Sequence, residues 1–254
     1  MTIQPKAAAT IVVLRDCTDG FEVLMLKRSR KASFFPHAWV FPGGRVDSTD
    51  SKVVASGDIF GLDDSHRDYA VAAIRECFEE SGVWLGNGQP TRGFRDALNS
   101  GEQSFNDAPH MIADLTRLEQ WAHWITPEAE PKRYDTRFFV ASLGGHGAGQ
   151  GDHDRVETVD MMWVRPQDAV VPGRFFLAPP TLITLLELSE YSSTEAVMSA
   201  ARMRDVQPIV PVAIHDQSGD LAICLPGDEA HPNCQRVCNF VRVVLRGSQW
   251  VVNQ

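Results

Sequence analysis

Residues 75–83 read RECFEESGV, and the helical periodicity of this stretch decides how the rest of the chain is read. At roughly 100° per residue, Ile74, Cys77 and Phe78 share one helix face, and Ala70 and Val71 extend it upstream. Glu76, Glu79 and Glu80 fall on the opposite side. Like charges at this spacing destabilise an isolated helix by roughly 0.2–0.5 kcal/mol per pair. The cluster reads either as a solvated acidic face or as an all-oxygen ligand set of the kind Mg²⁺ or Mn²⁺ takes. The helix alone does not choose between the two. The pattern predicts a helix over 66–82, closed at Gly82 by a left-handed cap.

Working outward, Ala38–Phe41 predicts a short strand that Pro42-Gly43-Gly44 ends in a tight turn without side chains. A loop carrying Asp47 and Asp50 then leads to the acidic helix. Further upstream, residues 8–15 and 22–28 read as strands joined by a turn at Cys17–Gly20. Downstream, residues 109–124 look helical, because Met111, Leu115, Leu118, Trp121 and Trp124 recur at three- and four-residue spacing. That stripe is expected to be core, and so are Trp121, Trp124 and Trp163, although an indole could also stack on a base.

Strands are expected at 134–143 and 157–165, separated by the Gly-rich GGHGAGQGDHD of residues 144–154, which reads as a mobile loop. Helices follow from Pro179-Pro180 to Tyr191 and over 193–203. Strands are predicted at 209–214, 220–225, 236–245 and 249–252, after a compositional shift near 204. The mixture is an α/β pattern.

With Phe41-Pro42-Gly43-Gly44 ahead of Arg75-Glu76-x-x-Glu79-Glu80-x-Gly82-Val83, the sequence resembles the Nudix hydrolase superfamily. Gly44 matches the first glycine of that family's box, and Cys77 stands at one of its apolar positions. Asp50 occupies the place of the box's first Glu. Between Asp50 and Arg75 lie 24 residues where the family has seven, so 17 are extra.

An insertion there resembles one branch, similar to the peroxisomal coenzyme A diphosphatases and their bacterial relatives. RYDTRFF (133–139), Pro179-Pro180-Thr181, QPIVP (207–211) and LPGD (225–228) resemble that branch too. The resemblance implies an α/β/α sandwich around a mixed sheet, with extra helices from 90–125 and 177–203 and a β-rich C-terminal extension. It divides the chain into a catalytic domain over 1–203, with its insertion at 51–69, and an extension over 204–254 packed on it.

Carried onto this chain, the resemblance makes Glu76, Glu79 and Glu80 the ligands of Mg²⁺ or Mn²⁺. Glu79 and Arg75 enter the catalytic set, and Arg75 orients the helix by pairing with a carboxylate, most simply Glu79. Gly43 and Gly44 let the backbone approach metal and phosphate. The reaction implied is water attack on a diphosphate linked to some group X.

The box does not specify a general base. Glu157, six residues before Trp163, is the candidate, with Asp160 and Glu128 behind it and a solvated strand-start residue as the competing reading. Lys27, Arg28, Arg30 and Lys31 put four cations within five residues ahead of the PGG turn, a local reversal suited to an anionic substrate or simply a basic loop. Arg28-Ser29 matches the basic segment of the coenzyme A branch, whereas Ala32, Phe35 and His37 depart from it. His66, His146 and His153 are expected to be solvated.

The chain's 254 residues carry a formal charge of −9. That acidic balance argues against nucleic-acid binding, which is built from Lys and Arg. No apolar run approaches the roughly 20 residues that span a bilayer, and the start lacks a signal-peptide pattern. Five cysteines without a C-x-x-C pair suggest a reduced, cytoplasmic protein, and a zinc site at His231, Cys234 and Cys238 is a minor alternative. The ending Val-Val-Asn-Gln is no peroxisomal address.

The expected function is metal-dependent diphosphate hydrolysis in a small nucleoside-diphosphate derivative, with coenzyme A or an acyl-coenzyme A leading. A nucleotide sugar or a dinucleotide is the alternative substrate, and a non-catalytic nucleotide sensor or an interaction scaffold the alternative class. The oligomeric state stays open, a homodimer included.

Overall fold

In the computed structural model, which describes residues 3–31, 35–59, 66–108, 110–144, 153–154 and 158–252, the first strand β1 (Lys6–Cys17) is buried on both faces. Ala9, Ile11 and Val13 point to one side, and Val12 and Leu14 to the other. A strand without a wet face must lie inside a layered fold.

In chain order β1 is followed by β2 (Gly20–Arg28), β3 (Trp39–Val40), β4 (Gly43–Arg45), β5 (Ala55–Ser56), β6 (Gly86–Asn87), β7 (Ile112–Asp114) and β8 (Leu118–Ile125). Then come β9 (Tyr134–Ser142), β10 (Thr158–Val164), β11 (Pro208–Ile209), β12 (Val212–His215), β13 (Leu221–Cys224), β14 (Arg242–Arg246) and β15 (Gln249–Val252). The main sheet has eight strands in the order β10-β2-β1-β9-β8-β11, with β3 added to β2 and β4 to β1. It is mixed, since β9 is parallel to β1 and β11 to β8 while the other pairs are antiparallel.

Helix α1 (Arg67–Ser81) covers the side of Ala9 and Ile11 through Ala70, Val71, Ile74, Cys77 and Phe78. Phe78, Trp84, Phe105 and the Phe94 of α2 (Arg92–Ser100) close that layer, with ring centroids 5.5–6.3 Å apart. The opposite side is covered by α4 (Pro179–Leu188) and α5 (Thr194–Arg202), which follow the single turn α3 (Pro166–Ala169). The expected α/β/α sandwich is therefore present, with a separate sheet β12-β13-β14-β15 at the C-terminal end.

The expected helix over 109–124 is not there. From residue 112 on, the chain forms β7, a 3₁₀ turn at Leu115–Arg117 and β8. Met111, Leu115 and Leu118 lie on the α1 side, whereas Trp121 and Trp124 lie on the other. The 3₁₀ turn and an irregularity between Gln120 and Ala122 shift the phase of the strand. A strand apolar on both faces then imitates the helical period. The stripe is core all the same. Of the extra helices expected over 90–125, only α2 forms among the described residues.

The insertion at 51–69 is docked where it is described. A 3₁₀ turn at Asp50–Lys52 leads to β5, which pairs in parallel with β7 in a three-stranded sheet β5-β7-β6. Arg67 Nη2 donates to the Val53 carbonyl at 2.9 Å and ties the insertion to the first turn of α1.

Candidate active site

The end of the helix is set by local geometry. Gly82 adopts φ 74°, and its N–H donates to the Phe78 carbonyl, the left-handed cap expected from the sequence. The Glu79 carbonyl, left over by that cap, accepts from Arg95 Nε at 3.0 Å and Asn99 Nδ2 at 3.1 Å. Both donors sit on α2, and nothing in the sequence spacing marks them, because the contact depends on α2 folding back against α1. A cation at a helix C-terminus also complements the helix dipole.

Arg75 organises the acidic face. Its Nε donates to Asp50 Oδ1 at 2.7 Å and its Nη2 to Asp50 Oδ2 at 3.1 Å. Nη1 reaches Glu76 Oε1 at 3.0 Å and Glu79 Oε2 at 2.9 Å, and Nη2 also reaches the Arg45 carbonyl at 2.9 Å. Asp50 is 0% exposed and also accepts from the Asp47 N–H at 2.7 Å. Asp50 is thus the closest partner of Arg75, despite its shorter side chain and the insertion behind it.

Burial disfavours the charge of Arg75, but Asp50, Glu76 and Glu79 together outweigh it and hold the guanidinium pKa above its ordinary value. Burial pushes the Glu79 carboxyl up against the opposing pull of Arg75. A desolvated carboxylate with a specific charge partner marks a functional site more often than chance.

The solvated reading of this face is corrected. Glu80 is buried, and Glu76 and Glu79 are only partly exposed, because the face packs against β4 and the turn at Asp50. Glu80 Oε2 accepts from the Gly43 N–H at 3.0 Å. At Gly44 an added Cβ would stand 2.3 Å from Glu76 Oε1, and at Gly43 one would stand 2.4 Å from the Ala9 carbonyl oxygen. Only residues without side chains allow the turn to lie this close to helix and sheet. Cys77 faces the core, where burial pushes its thiol up to about 12 and leaves it inert.

Among the described residues no three of His, Cys, Asp and Glu converge on a metal-sized space. Glu76 and Glu79 turn to Arg75 and Glu80 to the Gly43 amide. The donor chemistry nevertheless suits a hard divalent cation: carboxylate oxygens, one of them desolvated, beside a notch that a Cβ would fill.

Arg28 ends β2 opposite Thr158 of β10. By strand alternation from Leu24, which packs beneath α1, its side chain faces the α1 side. Its Nε is buried without a hydrogen-bond partner among the described residues. Glu157 and most of the Gly-rich segment lie outside the described residues. Asp160 is exposed on β10, and Glu128 is exposed between β8 and β9. Trp121 and Trp124 are buried core residues, and Trp163 carries the Arg15 guanidinium 4.3 Å from its ring centroid. The zinc alternative fails on its partners: both His231 ring nitrogens are engaged by backbone groups, and the Cys238 thiol donates to the Phe240 carbonyl.

The chain is similar to known proteins in sequence and in fold. The family model described as the NUDT19 Nudix domain matches residues 58–188. A Caenorhabditis elegans protein provisionally named nudix hydrolase 7 is 30% identical over 239 residues, covering 88% of this chain and 73% of its own length. The acyl-coenzyme A diphosphatase NUDT19 of Xenopus laevis is 24% identical over 299 residues, covering 93% of this chain and 78% of its own. The crystal structure of a Nudix hydrolase from Alicyclobacillus acidocaldarius superposes with a TM-score of 0.66 at 27% identity, covering 77% of this chain and 96% of that one.

Proposed function

The chain belongs to the Nudix hydrolase family, and from that premise we propose that it hydrolyses the diphosphate bond of coenzyme A or an acyl-coenzyme A with Mg²⁺ or Mn²⁺ as cofactor. The observation that carries the reading is the frame built by Arg75, Asp50 and the Gly43-Gly44 turn around three carboxylates of one helix. The NUDT19 relatives, named as acyl-coenzyme A diphosphatases, support the substrate.

Glu76, Glu79 and Glu80 would hold the cation. When bound, it supplies charge neutralisation at the phosphate oxygens and a lowered pKa for the attacking water. Arg75 keeps Glu76 and Glu79 beside each other against their mutual repulsion, and Asp50 keeps Arg75 in place. The backbone at Gly43 and Gly44 leaves room for a phosphate next to the helix. Arg28, whose Nε has no hydrogen-bond partner among the described residues and which lies on the same side of the sheet, takes an anionic group of the substrate. Glu157 is the proposed base that accepts the proton of the attacking water as the new P–O bond forms and the bridging P–O bond breaks.

Among the described residues no helix is long and apolar enough to cross a membrane. The five cysteines are unpaired. A cytoplasmic setting goes with this reading, as does the division into a catalytic domain over 1–203 and an extension over 204–254.

The test is product analysis by mass spectrometry after incubation with coenzyme A, with and without Mg²⁺. Metal-dependent release of 3′,5′-ADP and 4′-phosphopantetheine is expected. Intact coenzyme A beside metal-dependent cleavage of a nucleotide sugar or dinucleotide would move the substrate and keep the chemistry.

A further inference from the structure

Tyr69 precedes Glu76 by seven residues on α1, so the two share a helix face about 10.5 Å apart. Beneath them runs one rung of the main sheet, in which Gly44 of β4, Ala9 of β1 and Arg137 of β9 are Cα partners. Neighbouring strands stand about 4.8 Å apart, which puts Gly44 and Arg137 about 9.6 Å from each other. The two spacings match. Glu76 lies against Gly44 at one end, and the Arg137 guanidinium lies 5.6 Å from the Tyr69 ring centroid at the other.

Arg137 is itself held from the sheet. Its Nε is 3.7 Å from Asp135 Oδ1 and has no hydrogen-bond partner among the described residues. The same carboxylate oxygen is 2.6 Å from Nε2 of the buried His123. His123 stands directly opposite Arg137 across the β8–β9 pair. Asp135 and Arg137 belong to RYDTRFF, a segment with no part in the chemistry derived above.

We propose that Tyr69 and Arg137 are positioning residues for the reaction, registering α1 on the sheet so that Glu76 stands over Gly44. The Asp135–His123 pair holds the guanidinium where the ring can rest on it. Contacts at the C-terminal half of α1 set the rotation of the helix there, while the station at Tyr69 sets where the helix lies along the rung. Attachment at both ends leaves neither sliding nor tilting free. The inference rests on Glu76 as a ligand of the cation, as proposed above.

The test measures Mn²⁺ binding by electron paramagnetic resonance, with a thermal unfolding curve for each protein. Glu76→Gln should bind at least about tenfold more weakly than wild type, and Arg137→Leu about tenfold more weakly while still unfolding cooperatively, as for losses in the shell behind a metal ligand. Arg137→Lys keeps a cation over the ring and should stay within about twofold of wild type. A purely structural role would lower the unfolding midpoint of Arg137→Leu and leave its Mn²⁺ affinity unchanged. That outcome, beside a weakened Glu76→Gln, overturns this inference alone. Wild-type affinity in Glu76→Gln overturns the metal assignment and this inference with it. If Arg137→Leu does not fold, Tyr69→Leu reads the same contact from the helix side with the same expectation.

Discussion

Arg75 meets four carboxylates, three within 3.1 Å and Asp47 at 3.8 Å, and that concentration sets what single substitutions should do. Asp50→Ala removes the carboxylate that binds the Nε–Nη2 edge of the guanidinium through both oxygens, and leaves a buried arginine with Glu76 and Glu79 on Nη1 and Asp47 at 3.8 Å. Breaking a buried ion pair from one side costs about 3–5 kcal/mol, which a denaturant titration of wild type and variant would show. Glu79→Gln and Glu80→Gln act differently. In Glu80→Gln an amide oxygen can still accept from the Gly43 N–H, so the fold should hold while turnover falls about a hundredfold or more with the loss of a proposed metal ligand. Near-normal rates in both variants would remove this helix from the chemistry. The carboxylate set could be read from RECFEESGV alone, because helical period places those residues together. That Asp50 closes on Arg75 across the insertion could not, since the two stand 25 positions apart in the chain.

At the scale of elements, α1 formed as its period and Gly82 predict, and β8 did not form as the spacing of its apolar residues predicts. The difference lies in what each element faces. Helix α1 has one polar edge that gives its period contrast, whereas β8 packs apolar side chains on both faces and offers none. In the C-terminal sheet the connection between β13 and β14 is pinned by Asp228, which receives Arg242 Nε at 2.7 Å and Nη2 at 2.5 Å. Arg242 holds the Asp228 carboxyl below its ordinary range, so the folded pKa lies under the unfolded one. The stability this contributes is present above about pH 3.9, the unfolded value, and is lost as pH falls through the folded value. Asp228→Asn should therefore cost about 1.5–3 kcal/mol at neutral pH. The gap to wild type should narrow in unfolding curves taken at pH values falling below about 3.9. An equal gap at every pH would show that shape rather than charge holds the turn.

At the scale of the molecule, the tail shares the core of the rest of the chain. Leu225, Cys238 and Val243 belong to the same buried cluster as Trp121, Leu182 and Val197. β11 pairs with β8 inside the main sheet, although a boundary near 204 would assign it to the extension. Buried Glu119 and Glu187 bind Arg202 and Arg204 at 2.6 and 2.7 Å where the two parts join, and Glu187 also accepts from Trp121 Nε1 at 3.1 Å. A chain ending at residue 203 should lose cooperative thermal unfolding, because it exposes that cluster and leaves Glu187 without Arg204; a sharp transition near the full-length midpoint would make the extension dispensable. By itself the sequence determined the family, the acidic helix and its cap, the PGG turn and the layered α/β class. These rest on local period, on glycine geometry and on spacing along one element. Only the tertiary structure decided that the acidic face is packed rather than wet, that Asp50 is the chief partner of Arg75, that residues 112–124 form two strands around a 3₁₀ turn, and that Arg137 lies on the rung of Gly44. Each of those depends on distant segments meeting, and no local pattern encodes which ones meet.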